Sequence, residues 1–483
     1  MDHICLQMHH HKSKYKTNLS IKEKEDWKAY EESGELPVEV MESLFEKETD
    51  QQFIEKFQFI CIVMETLGLI SSPLLDSEEE LEIYIVPCML RAAIPSRIQP
   101  ILDKPSTVKT PVLCVKFDKD FIPQAIWDKI IAKCIHRFKP MEEDGYDQTD
   151  FIQRGFVCLA VDSLWKVVLN CHKNAMIVIL FTRSKSQIPS GKGVKFREFL
   201  DFLLQTVLEM NHQGHFRYSY YLHNDYEFSK NEQMVKAEDL SELDGIFCRG
   251  GKGESCLSKK DYDIWFQPIT EAQTSVKTVD GLPVHLPERK PSPKELGRIS
   301  KFIGIYHLSF FMELECPIDT VDRFFLDYQK ISRRVPITKS MVAFFNKTPK
   351  RGFSHIASAM TEGGMNIDLQ TILEGANRED LLDDFDVPEN LLQRPMSIDH
   401  VSIVSDFISP RESYILFLEL GLKETIIERE EVSCINIQEQ ITTLLELWIK
   451  VEGEAATVRK LLQAMAECDM DIQGLVRSIE ENI

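Results

Sequence analysis

The chain has 483 residues, 43% of them apolar, and 56 basic against 77 acidic side chains give a net charge of −21. That is enough for roughly three domains of about 150 residues with buried cores, which excludes a disordered chain. The acidic balance opposes broad binding to nucleic acid or anionic membranes. No apolar run reaches the ~20 residues that span a bilayer, since Phe59–Ile70 is broken by Glu65 and Phe302–Met312 by His307. Twelve cysteines are scattered without framework spacing, and the polar, basic start MDHICLQMHHHKSKYK lacks the apolar stretch of a signal peptide. The expectation is a cytoplasmic protein with free, mostly buried cysteines.

Residues 1–33 form a Lys/Glu/His-rich lead-in, in which His9–His11 are read as incidental rather than as metal ligands. Residues 34–105 predict a small helical unit. One helix starts at Pro37 with Val40, Met41, Leu44 and Phe45 on one face. A second carries Phe53, Phe57, Ile60, Cys61 and Met64 at spacings of three and four, and Gly68 ends it. Leu69-Ile70, an acidic turn at Asp76–Glu80 and Ile83–Val86 then predict a hairpin. Helix, helix, hairpin is a winged-helix order, and the acidic turn opposes use of the wing on DNA.

Residues 106–272 read as an α+β domain. Val112–Phe117 predicts a strand and Phe121–Phe138 a helix. The runs Phe156–Ala160 and Met176–Leu180 predict strands near a turn at His172-Lys173-Asn174, and Phe196–Met210 is an amphipathic helix. Residues 273–292 form a Pro-rich linker, within a stretch from Thr274 to Pro293 that holds four prolines.

The rest is internally repeated. Met312-Glu313-Leu314 is echoed 106 residues on by Leu418-Glu419-Leu420, and Ala359-Met360 is echoed 105 residues on by Ala464-Met465. Phe344-Phe345 precedes the first Ala-Met pair as Trp448-Ile449 precedes the second. The repeats occupy 293–376 and 394–483, joined by an acidic spacer over 377–393 with Asp383, Asp384 and Asp386. A repeated compact helical unit is more often a binding module than a catalyst.

On these residues the second repeat resembles a death domain, a six-helix bundle. Phe417–Leu422, Trp448, the polar loop Val451–Ala455 and the helix opened by Ala456-Thr457-Val458 carry the resemblance. The first repeat resembles the same template through Phe311–Leu314, Phe344-Phe345, Gly352 and Ala359-Met360. It lacks the Trp and has Glu315 where the glycine would stand. The stretch GELPVEVMESLF, the helix through Gln58–Leu67, Tyr84–Leu90, the helix after Phe121-Ile122-Pro123 and the sheet carrying Arg154-Gly155 resemble the COR region of Roco proteins. In that family a Roc GTPase precedes COR, yet no GxxxxGK[ST] occurs here: Gly250-Gly251-Lys252-Gly253 lacks the spacing and the Lys-Ser/Thr pair. This chain alone is therefore expected neither to bind nor to hydrolyse GTP.

No catalytic, cofactor or metal residue is assigned. Cys248 and Cys256 lack a second ligand pair and are read as loop cysteines. His136, His172, His212 and His215 face no GxSxG elbow. Asp118 and Asp120 alternate with lysines in a loop and are read as solvated. The run FRYSYY over Phe216–Tyr221 is read as strand packing.

Charge separates the repeats: 11 basic and 9 acidic residues over 293–376, but 8 basic and 17 acidic over 394–483. Opposed balances on related copies suit partner selection, and Glu424, Glu428, Glu430 and Glu431 are the predicted partner-binding residues. The fold expectation is a multidomain chain, α+β then all-α: a winged-helix-like unit and an α+β sheet domain, both COR-like, then two six-helix death-fold bundles. The functional expectation is a non-enzymatic signalling scaffold without cofactors, in apoptotic or innate-immune signalling. It recruits death-fold partners, and its COR-like region forms a homodimer, for which Phe196–Met210 offers one surface, or docks a Roc-type GTPase. The alternative is a regulatory fragment of a Roco GTPase. A basic lead-in carrying Lys12, Lys14, Lys16, Lys22 and Lys24 would favour a winged-helix nucleic-acid binder, which the acidic total opposes.

Overall fold

A computed structural model describes residues 21–46, 56–74, 82–92, 98–146, 148–183, 188, 191–210, 216–223, 234–242, 246–250, 253–267, 289–328, 332–365, 379–382, 385 and 387–481. His9–His11, the acidic turn at Asp76–Glu80, His212, His215, most of the Pro-rich linker and Asp383, Asp384 and Asp386 lie outside these residues. The chain divides into two compact units, Met1–Thr274 and Ser275–Ile483.

The first unit begins with α1 (Ile21–Ser33), β1 (Glu35–Pro37), α2 (Val38–Glu46), α3 (Phe57–Thr66) and β2 (Ile83–Ile85). Trp27, Tyr30, Leu36, Val40, Met41, Cys61, Met64, Ile70 and Tyr84 form one apolar core. The expected pairing of the segment after Leu69-Ile70 with Ile83–Val86 is seen as a single antiparallel bridge, and the main ladder of β2 is with β1. β2 pairs antiparallel with β1, Leu36 opposite Tyr84, and among the described residues after α3 Ser71 adds an antiparallel bridge to Ile85. Gly34, at φ +80°, turns α1 directly into a strand, and Pro73, two residues after the bridge, has no N–H with which to extend a ladder. Gly68 does end α3, at φ +68°.

A nine-stranded antiparallel sheet follows. Its long strands are β3 (Val112–Phe117), β4 (Phe156–Ala160), β5 (Trp165–His172), β6 (Ala175–Thr182) and β7 (Tyr218–His223), in the spatial order β7, β3, β6, β5, β4. The reading from sequence found β4 and β6 but not β5, in which Lys166 and Asn170 interrupt the apolar run. Helices α4 (Gln124–Arg137) and α5 (Lys192–Met210) flank it. Phe138, just after α4, meets Phe199 of α5 edge-on at 5.2 Å. Phe196, Phe199, Leu200, Leu203 and Leu204 are all buried within this unit, so the apolar stripe of α5 serves the core and is not a self-association surface. The hairpin β8 (Ile246–Gly250) and β9 (Gly253–Leu257) and the helix α6 (Lys259–Phe266) close the unit.

The second unit is helical. Helices α7 (Pro293–Ile303), α8 (His307–Glu313), α9 (Ile318–Asp327), α10 (Arg334–Lys347) and α11 (Phe353–Glu362) surround Leu296, Ile299, Phe310, Phe311, Met341, Phe345 and Ile356. Helices α12 (Val401–Phe407), α13 (Ser413–Glu419), α14 (Glu424–Ser433), α15 (Ile437–Glu452), α16 (Val458–Glu467) and α17 (Ile472–Glu481) surround Ile415, Phe417, Leu445, Trp448, Leu461, Met465 and Leu475. The second bundle has six helices. In the first, five are described, and residues 366–378 lie outside the description.

Two turns recur between the bundles. After α8, Glu315 takes φ +60°, and after α13, Gly421 takes φ +90°. The N–H that follows each reaches back to close the helix end, Cys316 to Phe311 at 2.9 Å and Leu422 to Phe417 at 3.0 Å. The same closure occurs at Gly364 and Asp469, where Met365 N donates to Met360 O at 2.8 Å and Met470 N to Met465 O at 3.1 Å. A left-handed residue at the end of a helix spares two orphan carbonyls and is normally Gly; Glu315 and Asp469 hold it without one.

Candidate protein-interaction surface

The predicted acidic residues lie on or at the start of α14. Helical spacing places Glu424, Glu428 and Glu431 (i, i+4, i+7) on one face and turns Glu430 away. Glu430 pairs with Arg429 of its own helix at 2.7 Å. The other three face a cation from the first bundle: Lys339 Nζ, on α10, donates to Glu431 Oε2 at 2.9 Å and stands 3.8 Å from Glu428 Oε1. Glu424 is held above the usual carboxylate range by burial first, then by Glu428, with Lys339 opposing.

The surroundings of Lys339 are aromatic as well as acidic. Its Nζ lies 4.5 Å from the ring centre of Tyr328, in the first bundle, and 4.5 Å from that of Tyr414, in the second. An ammonium over a ring face is attracted by the ring quadrupole, more strongly when water is excluded, and only 3% of the Lys339 side chain is exposed. Burial, then the charge of Glu424 and Glu428, pushes the Tyr414 phenol up. Burial, then Glu431, does the same to Tyr328. Both rings stay neutral at any physiological pH.

Further charges join the bundles on the same side. Arg298 of α7 grips Glu419 of α13 with two parallel hydrogen bonds, Nε to Oε1 at 2.9 Å and Nη2 to Oε2 at 2.8 Å. Their side chains are 8% and 2% exposed, so this is a buried bidentate pair. Lys294 donates to the Glu419 carbonyl at 2.7 Å. Arg334 stands 3.6 Å from Glu412 and donates to the Glu467 carbonyl at 3.2 Å. Lys301 meets Asp469 in the open, at 2.7 Å. Apolar contact is narrower: Val335 lies in the core cluster of the second bundle, and Gly297 of α7 faces the Ile415 side chain.

Sequence reading offered Glu424, Glu428, Glu430 and Glu431 to an outside partner; in the structure Glu428 and Glu431 meet Lys339 of the same chain, which sequence reading did not single out. Lys339 sits in a run of buried apolar residues, Val335, Ile337, Met341 and Val342, and a cation embedded so is itself a sign of a buried partner. Glu419 gives the same sign within Tyr414–Leu420. Reversal of Glu428 and Glu431 to Lys would set like charges against Lys339, so that change would also strain the second unit.

Elsewhere, the residues considered for chemistry do not converge. His136 is 3.1 Å from Ser72 Oγ. His172, Asp118 and Asp120 are exposed. Tyr218 and Tyr220 both donate to Asp201, at 2.8 and 2.6 Å, which is strand packing with its hydroxyls satisfied. In the β8–β9 hairpin Cys248 opposes Ser255 and Cys256 opposes Phe247. Among the described residues no group of three or more His, Cys, Asp or Glu is placed to hold a metal ion. No helix among them is long and apolar enough to cross a membrane.

Residues 399–482, which span α12 to α17, match the Death domain family. No curated protein matches the chain. Death domains are protein-interaction modules that bind other death-fold proteins, and this one lies at the acidic end of the second unit.

Proposed function

We propose that this chain is a non-enzymatic signalling adaptor whose death domain recruits a basic death-fold partner through the face of α14. The observation that carries the reading is the match of residues 399–482 to the Death domain family, with Glu424, Glu428 and Glu431 gathered on one face of that bundle. Exposed ion pairs contribute only about 0.2–1 kcal/mol each, so several act together and salt weakens them.

The first bundle is a diverged death-like copy in this reading. Its support is the pair of left-handed helix ends at matching places 105–106 residues apart, with the shared Met/Leu-Glu-Leu and Ala-Met elements. The first unit acts as a COR-like region that dimerises or docks a GTPase, supported by a helical unit followed by an antiparallel sheet flanked by helices. The free cysteines suit a reducing, cytoplasmic setting.

The test is a panel of purified death-fold domains of differing charge, titrated against the full chain from 50 to 300 mM NaCl (roughly a two-fold change in Debye length). Basic members bind and lose affinity with salt, and Glu428→Gln with Glu431→Gln removes that salt dependence. Salt-independent binding, or binding untouched by the two neutralisations, would leave the acidic face as a solvated surface.

A further inference from the structure

We infer that the first bundle is a built-in competitor for the death domain's interaction face. Lys339 occupies the receptor formed by Tyr414, Glu428, Glu431 and Tyr328, and an outside partner reaches α14 only by presenting a lysine of its own once Lys339 is withdrawn. This rests on the recruitment reading above and names both the chemistry of the partner and the regulation of that site.

The geometry carries the first half. An ammonium with two ring faces at 4.5 Å and carboxylates at 2.9 and 3.8 Å has the contacts a cation receptor needs, and nothing in them depends on the cation belonging to the same chain. Three of the four receptor side chains, Tyr414, Glu428 and Glu431, belong to the death domain side; only Tyr328 and the cation come from the first bundle. Three donors around a compact point charge suit lysine.

The second half follows from how the bundles are joined. The contact is built mainly from paired charges: Lys339 with Glu428 and Glu431, Arg298 with Glu419, Arg334 with Glu412, Lys301 with Asp469. Buried charges lose much of their attraction to desolvation, and interfaces within one chain that rely on them resemble transient ones. An incoming lysine replaces one ammonium with another, so the exchange conserves charge at the receptor. The covalent tether gives Lys339 a high effective concentration, and this sets the threshold a partner must exceed.

The experiment uses the full chain with Lys339→Ala, and with Lys339→Met as a variant that keeps apolar packing against the two rings. The probe is n-propylammonium, which replaces the three carbons and the ammonium deleted in Lys339→Ala. Amide exchange of Glu424–Ser433 should quicken about tenfold or more in Lys339→Ala and slow again, saturably, as the probe is added. Wild type should show no saturable response, and Glu428→Gln with Glu431→Gln added to Lys339→Ala should abolish the rescue. In parallel, a basic death-fold domain should bind Lys339→Ala and Lys339→Met about tenfold more tightly than wild type. If wild type binds as tightly as the two variants, the masking is overturned while recruitment stands. If no domain of the panel binds any form, recruitment fails and the ammonium rescue alone decides whether the receptor exists. A folded Lys339→Ala chain with wild-type exchange and no saturable ammonium binding overturns the inference outright.

Discussion

Glu419 is where the joining of the two bundles is most exposed to test. Its carboxylate accepts both hydrogen bonds of Arg298, and the two side chains are 2% and 8% exposed. Truncation to Ala leaves a guanidinium buried without its acceptor, which costs about 3–5 kcal/mol, far more than an exposed ion pair is worth. For a helical unit of 150–250 residues this lowers Tm by about 6–20 °C. Replacement of both partners together, Arg298→Met with Glu419→Leu, removes charge and partner at once and recovers most of the loss, because apolar side chains of similar volume substitute well for a buried pair. Lys301→Ala, which breaks the open pair with Asp469, shifts stability by less than about 1 kcal/mol. Calorimetry of the full chain with amide exchange of α7 and α13 reads all three. A loss below about 1 kcal/mol for Glu419→Ala, or a double variant no better than the single, would show that the Arg298–Glu419 fork does not hold the bundles together.

Two further predictions concern the death domain alone. Trp448 is fully buried and its indole N–H has no hydrogen-bond partner, so Trp448→Ala costs about 3–5 kcal/mol in urea denaturation while Trp448→Phe retains most of the stability; equal losses would place the tryptophan outside the core. Glu424 has its carboxyl raised by burial and by Glu428, so folding favours its protonated form. Its stabilising contribution is complete below the ordinary carboxylate value of 4.5 and is lost as pH rises through the raised value. Glu424→Gln is accordingly more stable than wild type at pH 7 and no more stable at pH 4, and urea midpoints that coincide at both values would refute it.

Much of the second unit was legible because its signals are local. The Met/Leu-Glu-Leu and Ala-Met echoes mark helix ends that must close in the same way, and Gly421 announces the left-handed residue at one of them. The equivalent end at Glu315 was placed by its echo of Gly421, but its left-handed conformation was not legible, since a non-glycine residue carries no signature of it. In the first unit, Val112–Phe117 and Ala175–Thr182 showed as apolar runs, while β5 with its Lys166 and Asn170 did not. The pairing of β1 with β2 was illegible for a different reason. It joins residues about fifty positions apart, and Ile70 offered an apolar run nearer in sequence that Pro73 prevents from forming a ladder.

The charge balance shows why a local count leaves out the partner that a charge meets within its own chain. The acidic excess over residues 394–483 and the basic excess over 293–376 were both countable, and opposed charge on related copies pointed to partner selection. Glu428 and Glu431 are paired by Lys339, Glu419 by Arg298, Glu412 by Arg334 and Asp469 by Lys301, so these charges of the second bundle meet cations of the first. Counting charges cannot reveal this, because Lys339 and Glu419 lie in apolar stretches that read as core. The informative residues were therefore the charged ones in the wrong company. A lysine among Val335, Ile337, Met341 and Val342, and a glutamate among Phe417, Leu418 and Leu420, are each costly to bury alone and inexpensive only if a partner comes with them. For the acidic face of α14, the nearest partner of opposite charge is Lys339 of the first bundle.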